Sequence, residues 1–278
     1  MTVCNKKIKI SRKIKKLISV NFNGGNITSD GGLLLIEKID RSLKLSKQIS
    51  DSINDTRDPA KIEHDLINLI QQKMYQIAMG YEDNNDANKL RNDPVFKTTI
   101  NRLPESDNPL ATQSTLSRLD NMIKRKDIFE LMKTFVKIYI DRKMKAGIPK
   151  EITIDIDPTD DPTHGNQQCS MFHGYYWQTQ YFPLLVFDAD TGDLIAPLLR
   201  PGMVTASQTA DSLLSRVIIM IRERFPNVKI TLRGDAGFGN PKMYDYCEGD
   251  KLKYIFGISS NNVLRKHTKE IEKQQKKN

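Results

Sequence analysis

Residues 151–157 read EITIDID, a stretch in which isoleucine alternates with polar or acidic residues. A period of two places the isoleucines on one face of a strand and Asp155 and Asp157 on the other. A second alternating stretch, residues 228–235, reads VKITLRGD and also ends in an aspartate, Asp235. If these strands are neighbours, Asp157 and Asp235 converge. The pattern therefore predicts a half-buried sheet with a pair of carboxylates at one end of two strands.

The segments around these strands give an order of elements. Residues 181–187 and 194–199 are predicted as a second and a third strand, joined by a turn at residues 190–193. Residues 213–225 have helical periodicity, a short helix follows Pro241, and residues 254–258 form a fifth strand. The order βββαβαβ is the ribonuclease H-like order, although periodicity alone supports only a mixed α/β fold.

The N-terminal half has helical periodicity instead. Apolar residues recur at helical spacing over residues 33–43, 62–77 and 128–140, and a polar segment at residues 28–30 is expected to cap the first helix. The predicted fold is an α/β, ribonuclease H-like mixed sheet with flanking helices, preceded by an all-helical domain. The expected parts are a basic arm (1–22), a helical, DNA-binding domain (23–149), the sheet domain (150–264) and a basic tail (265–278).

Positive charge is concentrated at the two ends of the chain. The net charge is +9, and residues 1–18 hold seven lysines and arginines with no acid. Basic ends on a near-neutral body suit a polyanion such as nucleic acid, because each phosphate contact releases counterions. Solubilising tails explain the composition equally well. On the first interpretation, Lys13, Lys15 and Lys16 contact DNA.

The composition excludes several other classes of protein. No apolar run nears the length of about 18 residues that spans a bilayer, and the basic N-terminus lacks the apolar core of a signal peptide. Cys4, Cys169 and Cys247 are far apart and odd in number, which argues against a disulfide framework or a zinc site. We therefore expect a cytoplasmic, nucleoid-associated protein without a membrane partner.

The pair Asp157 and Asp235 is the strongest candidate for chemistry. Carboxylate oxygens are the hard ligands that Mg²⁺ or Mn²⁺ prefers, and strand ends are where α/β sheets commonly bind substrates. Two divalent ions about 4 Å apart can activate an attacking oxygen and stabilise a leaving one in phosphoryl transfer. The alternative is that these aspartates only form turns or cap helices.

Several ordered blocks of sequence resemble one protein family. They are residues 154–167 (IDIDPTDDPTHGNQ), 183–188 (PLLVFD) with 191–193 (TGD), 199–202 (LRPG), 232–238 (LRGDAGF), 254–258 (YIFGI) with Asn261, and 29–32 (SDGG). Over roughly residues 20–265 the chain is similar to bacterial insertion-sequence transposases of the DDE domain group 1 family. Several blocks at compatible spacing are far more specific than any single motif.

The resemblance implies a DNA transposase that cuts and joins DNA phosphodiesters by two-metal catalysis with Mg²⁺ or Mn²⁺. It makes Asp157 the first catalytic metal ligand and Asp235 the second. Asp155 is the rival for the role of first metal ligand, but it lies one pleat earlier on the strand, so it is expected to position a metal ligand rather than to bind the metal itself. The partners expected are double-stranded DNA, at the element ends and at the target, and a second copy of the chain in a DNA-bound homodimer.

The chain departs from the family at the third acid. Family members place a catalytic glutamate on a helix well beyond the strand at residues 254–258, whereas Glu270 and Glu272 lie in a Lys/Gln-rich tail. We therefore expect a C-terminally truncated copy whose catalytic domain is incomplete. Two alternatives stay open: a DNA-binding remnant without catalysis, and a ribonuclease H-fold nuclease that takes its third acid from elsewhere.

Two arginines and one histidine have a structural interpretation beside the functional one. Arg200 and Arg233 lie near strand ends, where a guanidinium either holds a DNA phosphate or forms a structural ion pair. The pair His64 and Asp65 superficially suggests a metal phosphohydrolase, but we interpret it as a pair on a helix surface.

Two polar or aromatic clusters near the first strand are also ambiguous. Residues that follow the strand could border a metal or a DNA strand, but a capped polar loop is favoured: Thr159, Asp160, Asp161 and His164. Aromatic residues near the hairpin could stack on an unpaired base, but packing within the fold is favoured: His173, Tyr175, Tyr176 and Trp177.

Overall fold

The computed structural model describes residues 27–165 and 167–275, and its contacts divide the chain into two units, Met1–Leu131 and Met132–Asn278. The predicted basic arm, with Lys13, Lys15 and Lys16, lies outside the described residues, as do the side chains of Glu270 and Glu272. The boundary falls within a long helix whose apolar residues after position 131 are buried in the core of the second unit. The domain limits expected from the sequence stay predictions.

The first unit is helical, as the periodicity predicted. Its helices are α1 (Leu33–Leu43), α2 (Leu45–Ser52), α3 (Leu66–Ala78), α4 (Ala87–Leu90), α5 (Pro94–Thr99), α6 (Gln113–Met122) and the start of α7 (Arg125–Ala146), with 3-10 turns at Pro59–Lys61 and Asn84–Asp86. The prediction of a helix from residue 62 was wrong, because Asp65 is extended and α3 begins after it. His64 is buried, with Nδ1 2.9 Å from Nη2 of Arg102, so it is not part of a helix-surface pair.

The polar segment before α1 is fixed by a buried carboxylate rather than by a side-chain cap. Gly32 occupies the N-cap position and makes no side-chain hydrogen bond. Asp30 instead accepts hydrogen bonds from Oγ of Ser29 and from Oη of Tyr81, each at 3.1 Å. The Ser-Asp-Gly-Gly block therefore ties the entry of α1 to the segment that follows α3.

The second unit contains a five-stranded mixed sheet and a smaller three-stranded sheet. Its strands are β1 (Glu151–Pro158), β2 (Asp161–Pro162), β3 (Met171–His173), β4 (Gln178–Tyr181), β5 (Leu184–Asp188), β6 (Leu194–Leu198), β7 (Lys229–Gly234) and β8 (Lys253–Phe256). The large sheet has the order β6-β5-β1-β7-β8, with β5 antiparallel to β1 and β6 but β1, β7 and β8 parallel. This is the ribonuclease H-like sheet, so the predicted fold class is confirmed.

The small sheet, with the order β2-β4-β3, is inserted between β1 and β5. The predicted strand at residues 181–187 is therefore two strands: Tyr181 ends β4, and β5 begins at Leu184. Pro183 lies between them, where its missing N–H suits a break in the ladder. Gly202 packs on the small sheet so closely that a Cβ there would lie 1.9 Å from the carbonyl oxygen of Gln180.

The core of the second unit joins the large sheet to α7, α8 (Ala210–Arg224) and α9 (Pro241–Gly249), and α10 (Asn262–Gln275) follows β8. From β1 it takes Ile152, Ile154 and Ile156, each at most 2% exposed. Burying such a side chain contributes roughly 1.5–3 kcal/mol. Asp155 and Asp157 stand on the opposite face of β1, as the alternation predicted.

Two simple expectations about the chain can also be compared with the structure. Cys169 is exposed, Cys247 is buried, and both are free thiols. Among the described residues, no helix combines the length and the apolar character that a membrane span requires.

Candidate active site

The two predicted metal ligands lie side by side at the ends of β1 and β7. The parallel ladder between these strands ends at the pair Ile156 and Gly234, and Asp157 and Asp235 each follow that pair directly in the chain. Both side chains are exposed, and both line one cavity of about 490 Å³, here called the aspartate cavity. The structure therefore brings together the two residues that the strand patterns predicted would converge.

The two carboxylates repel each other. Loss of water around its carboxyl group, and then the negative charges of Asp235 and Asp155, raise the pKa of Asp157 above its ordinary value. Within residues 27–165 and 167–275, no donor forms a hydrogen bond or ion pair with the Asp157 carboxylate. A cation bound between the two carboxylates would remove this repulsion.

Asp235 is oriented by the glycine-rich turn that follows β7. The N–H of Gly237 donates to Oδ1 of Asp235 at 2.8 Å, which is the short-range bonding typical of an aspartate turn. A Cβ on Gly237 would lie 2.6 Å from Cβ of Ala206 and 3.0 Å from that same oxygen. Glycine is therefore required for the close approach, and Oδ2 of Asp235 stays available to a ligand.

Asp155 is engaged by a neighbouring side chain. Nε and Nη2 of Arg233 donate to its two carboxylate oxygens at 2.7 and 2.6 Å, and the strand register sets the two residues opposite each other. This is the structural ion pair that the sequence left open for Arg233. A metal contact of Asp155, or a DNA contact of Arg233, stays a prediction and would require the pair to open.

Arg200 is buried beside the aspartate cavity and links main-chain segments that line it. It is 3% exposed, its Nε donates to the carbonyl of Phe182 at 2.9 Å, and its Nη1 donates to those of Ala206 and Gln208 at 2.9 and 2.7 Å. Burial lowers the pKa of Arg200 to about 10. Its Nε and Nη1 thus face main-chain carbonyls, whereas Nη2 is buried without a hydrogen-bond partner, so the predicted contact with a DNA phosphate would require the side chain to become exposed.

Two further segments complete the aspartate cavity. One is the end of β3 and the turn after it, which contributes Phe172, His173, Tyr175 and Tyr176, whereas Trp177 is not among the lining residues. The other is the loop after β6, which sequence reasoning missed: Met203, Val204, Thr205 and Ala206. The only sequence signal for this loop was the Arg-Pro-Gly block just before it. The polar residues for which a capped loop was favoured over a place beside the site are not among the described residues that line the cavity: Thr159, Asp160, Asp161 and His164.

The donors present fit a hard divalent cation. Asp157 and Asp235 offer anionic oxygens, the ligands that Mg²⁺ and Mn²⁺ prefer. No group of three or more His, Cys, Asp or Glu in the described part of the chain is arranged to hold a metal. Two protein ligands are compatible with Mg²⁺, because this ion commonly keeps several waters and binds through one or two carboxylates plus substrate oxygens.

The fold and the site together define a class: a ribonuclease H-like α/β domain with paired aspartates at the ends of two adjacent parallel strands. The chain belongs to the Transposase DDE domain group 1 family, which it matches over residues 10–278. The resemblance found in the sequence blocks is therefore confirmed.

Three solved transposase structures are similar to this chain. A piggyBac transposase synaptic complex with hairpin DNA is 14% identical, with a TM-score of 0.37 over 83% of this chain and 51% of that chain. A Mos1 paired-end complex with the left transposon end is 11% identical, with a TM-score of 0.26 over 82% and 77%. A Mos1 mariner paired-end complex with Mn is 10% identical, with a TM-score of 0.26 over 88% and 90%.

The chain thus spans about half the length of the piggyBac transposase. Comparison with curated proteins returned no match.

Proposed function

We propose that the chain is the transposase of an insertion sequence, which cuts and joins DNA phosphodiesters with Mg²⁺ or Mn²⁺ bound by Asp157 and Asp235. The observation that carries this proposal is the register of β1 and β7, which sets two carboxylates side by side in one cavity of a DDE-family chain. Bound divalent ions would activate an attacking oxygen and neutralise charge on the leaving one.

The chain's own residues bind and position under this proposal. Asp157 has no internal partner among the described residues and is a ligand, and Asp235 is a ligand whose orientation is set by the N–H of Gly237. Asp155 is a positioning residue, because Arg233 neutralises its charge one pleat behind Asp157. The proposed partners are double-stranded DNA, at the element ends and at the target, and a second copy of the chain on DNA.

Nicking of supercoiled plasmid DNA by the full chain tests the proposal. We expect nicking with Mg²⁺ or Mn²⁺ and none in a chelator. Asp157→Asn and Asp235→Asn should fall to background, whereas Asp155→Asn should lose roughly 10- to 100-fold, the usual range for a residue behind the ligands. Asp245→Asn, an equal change of charge on the exposed face of α9, is the matched control and should retain full activity.

Metal binding is measured separately, by titrating Mn²⁺ and following the free ion by electron paramagnetic resonance. The wild type and Asp245→Asn should remove Mn²⁺ from solution, and Asp157→Asn should not. Unchanged Mn²⁺ binding and nicking in both Asp157→Asn and Asp235→Asn would refute the proposed site.

A second candidate is a DNA-binding remnant without catalysis. It is favoured by one observation, that the described residues offer no third metal-ligating side chain beside the aspartate pair. It predicts duplex binding in a gel-shift assay together with no nicking and no strand transfer under any divalent ion. Strand transfer that requires Mg²⁺ and is lost in Asp235→Ala would exclude it.

A further inference from the structure

An aromatic turn, residues 172–177, comprises the end of β3 and the connection to β4 and borders the aspartate cavity. Tyr175 is 86% exposed, Trp177 80% and Phe172 53%. Phe172, Tyr175 and Tyr176 line the cavity together with the two aspartates. Exposed aromatic rings that gather at one place mark a binding surface more often than a chance arrangement, because large apolar side chains are otherwise buried.

The aromatic turn is held on a packed base. The rings of His173, Tyr176 and Phe182 contact one another with centroids 4.9–5.8 Å apart. The guanidinium of Arg200 lies 5.3 Å from the Phe182 ring centroid, and it is itself fixed by main-chain carbonyls. The outer rings are therefore carried on a fixed platform beside the aspartate pair.

Trp177 is held in a strained backbone conformation. Its φ is 58°, in the left-handed region that favours glycine or asparagine, and its N–H donates to the carbonyl of His173 at 2.8 Å. A bulky residue in this region is uncommon, and such strain concentrates at sites that bind ligands.

We propose that the aromatic turn binds an unpaired nucleobase of the DNA strand whose phosphate lies at Asp157 and Asp235. Aromatic rings stack on any base, but only on one that has left the duplex stack, because a paired base already has neighbours on both faces. This inference rests on the proposed function, since it takes the strand at the cavity to be DNA.

The carboxylates argue for a nucleotide over an apolar protein surface. A protein segment packed across the aspartate cavity would bury two like charges without compensation, which is strongly unfavourable. A DNA phosphate would instead be held through the divalent ions of the proposed function, which leaves the carboxylates metal-bound. The rings can then stack on the base while the phosphate stays at the acidic end of the cavity.

Trp177 makes the test direct, because it is the only tryptophan in the sequence. The fluorescence of Trp177 is followed while the full chain, in Ca²⁺, is titrated with three DNA duplexes. The first is fully paired, the second has one unpaired adenine, and the third has an abasic site in place of that adenine. We expect the unpaired adenine to quench Trp177 and to bind more tightly than the paired duplex. The abasic duplex should cause no quenching.

Variants of the exposed ring at position 175 separate stacking from folding. Tyr175→Ala should weaken binding of the unpaired-adenine duplex by roughly 5- to 150-fold, the range expected for one lost base stack, with no change for the paired duplex. Tyr175→Phe keeps the ring and should retain the wild-type affinity. Because Tyr175 is 86% exposed, neither change should unfold the chain.

The outcomes separate this inference from the proposed function. If nicking depends on Asp157 and Asp235 but Tyr175→Ala weakens all three duplexes equally or none, the base site is refuted and the transposase proposal stands. If no divalent ion supports nicking but the unpaired adenine alone quenches Trp177, the transposase proposal fails and the base site stands. Trp177 emission that changes with protein concentration without DNA, and is insensitive to DNA, would identify a self-association surface and overturn the inference.

Discussion

The buried carboxylate of Asp188 fastens α7 to the sheet. Asp188 closes β5 and is 0% exposed. It accepts hydrogen bonds from Oη of Tyr139 at 2.6 Å and from the N–H groups of Asp190 and Thr191 at 2.9 and 3.0 Å, and it pairs with Nζ of Lys143 at 2.7 Å. One side chain therefore joins two turns of α7 to the end of β5 and to the hairpin turn.

Replacing Asp188 by asparagine keeps the shape but removes the charge. The Lys143 ammonium then lacks its counter-charge, and the new amide hydrogens face other donors. Breaking a buried ion pair from one side costs about 3–5 kcal/mol. Lys143 is 14% exposed, so we expect the lower end, about 3 kcal/mol. Tyr139→Phe leaves the ion pair intact and removes one hydrogen bond to a charged group, about 1.5–3 kcal/mol, so it should be the milder change.

The effect of Asp188→Asn should depend on pH. Burial alone would raise the pKa of Asp188, but the bonds from Lys143, Tyr139 and the turn N–H groups outweigh it, so the pKa is lowered. A carboxyl group with a lowered folded pKa stabilises the fold fully above its unfolded pKa of about 3.9 and loses that contribution as the pH falls through its folded pKa. The stability difference between the wild type and Asp188→Asn should therefore narrow below about pH 4.

Urea unfolding of the full chain measures this difference. Far-ultraviolet circular dichroism follows both units, and the fluorescence of Trp177, the only tryptophan, assigns a transition to the unit that contains it. A wild-type urea midpoint in Asp188→Asn at neutral pH would refute the reasoning. So would a larger loss in Tyr139→Phe, or a difference between wild type and Asp188→Asn that stays constant into acid.

Two other changes test the packing and the charge of the site. Gly202→Ala would place a methyl group against the carbonyl oxygens of Gln180 and Met171, so we expect the free energy of unfolding to fall by about 1–3 kcal/mol and amide hydrogen exchange in β3 and β4 to become faster. The control is Gly249→Ala, because a Cβ at Gly249 would have no atom within 4 Å. Equal exchange rates in the two variants would contradict the close packing of Gly202 on the small sheet. Asp157→Asn in metal-free buffer should raise stability by less than about 1 kcal/mol, because the carboxylates are exposed. Since the pKa of Asp157 is raised, the repulsion that the substitution relieves is absent in acid and grows as the pH rises past about 4. In thermal unfolding, Mn²⁺ should stabilise the wild type alone. Equal stabilisation of Asp157→Asn by Mn²⁺ would count against the proposed metal site.

The strands and helices that could be predicted are those with a local repeat. Alternation over residues 151–157 and 228–235 depends only on neighbouring residues, so β1 and β7 followed from the sequence. The small sheet did not, because β2, β3 and β4 have two to four residues each and are too short to display a period. The neighbour relation of β1 and β7 came from the order of elements in the resembling family rather than from either strand.

The roles of the two arginines depended on long-range contacts. Arg233 pairs with Asp155 because the strand register sets them opposite each other, and no pattern within either strand reports that register. Arg200 is buried because carbonyls from the segment before β5 and from the loop before α8 converge on it. The sequence around an arginine near a strand end therefore does not show whether its guanidinium faces solvent or the interior.

Three aspartates close to one another in the second unit show how the structure separates chemistry from architecture. Asp188 is fully buried and has four donors, and Asp155 has both oxygens held by Arg233. Asp157, two residues from Asp155 on the same face of β1, has no donor among the described residues and faces the charge of Asp235. A buried carboxylate with several donors stabilises a fold, whereas an exposed one beside a like charge weakens it slightly until a cation binds. The like charge of Asp235 at the neighbouring strand end, set there by the register of β1 and β7, is thus the physical reason to propose a metal at Asp157.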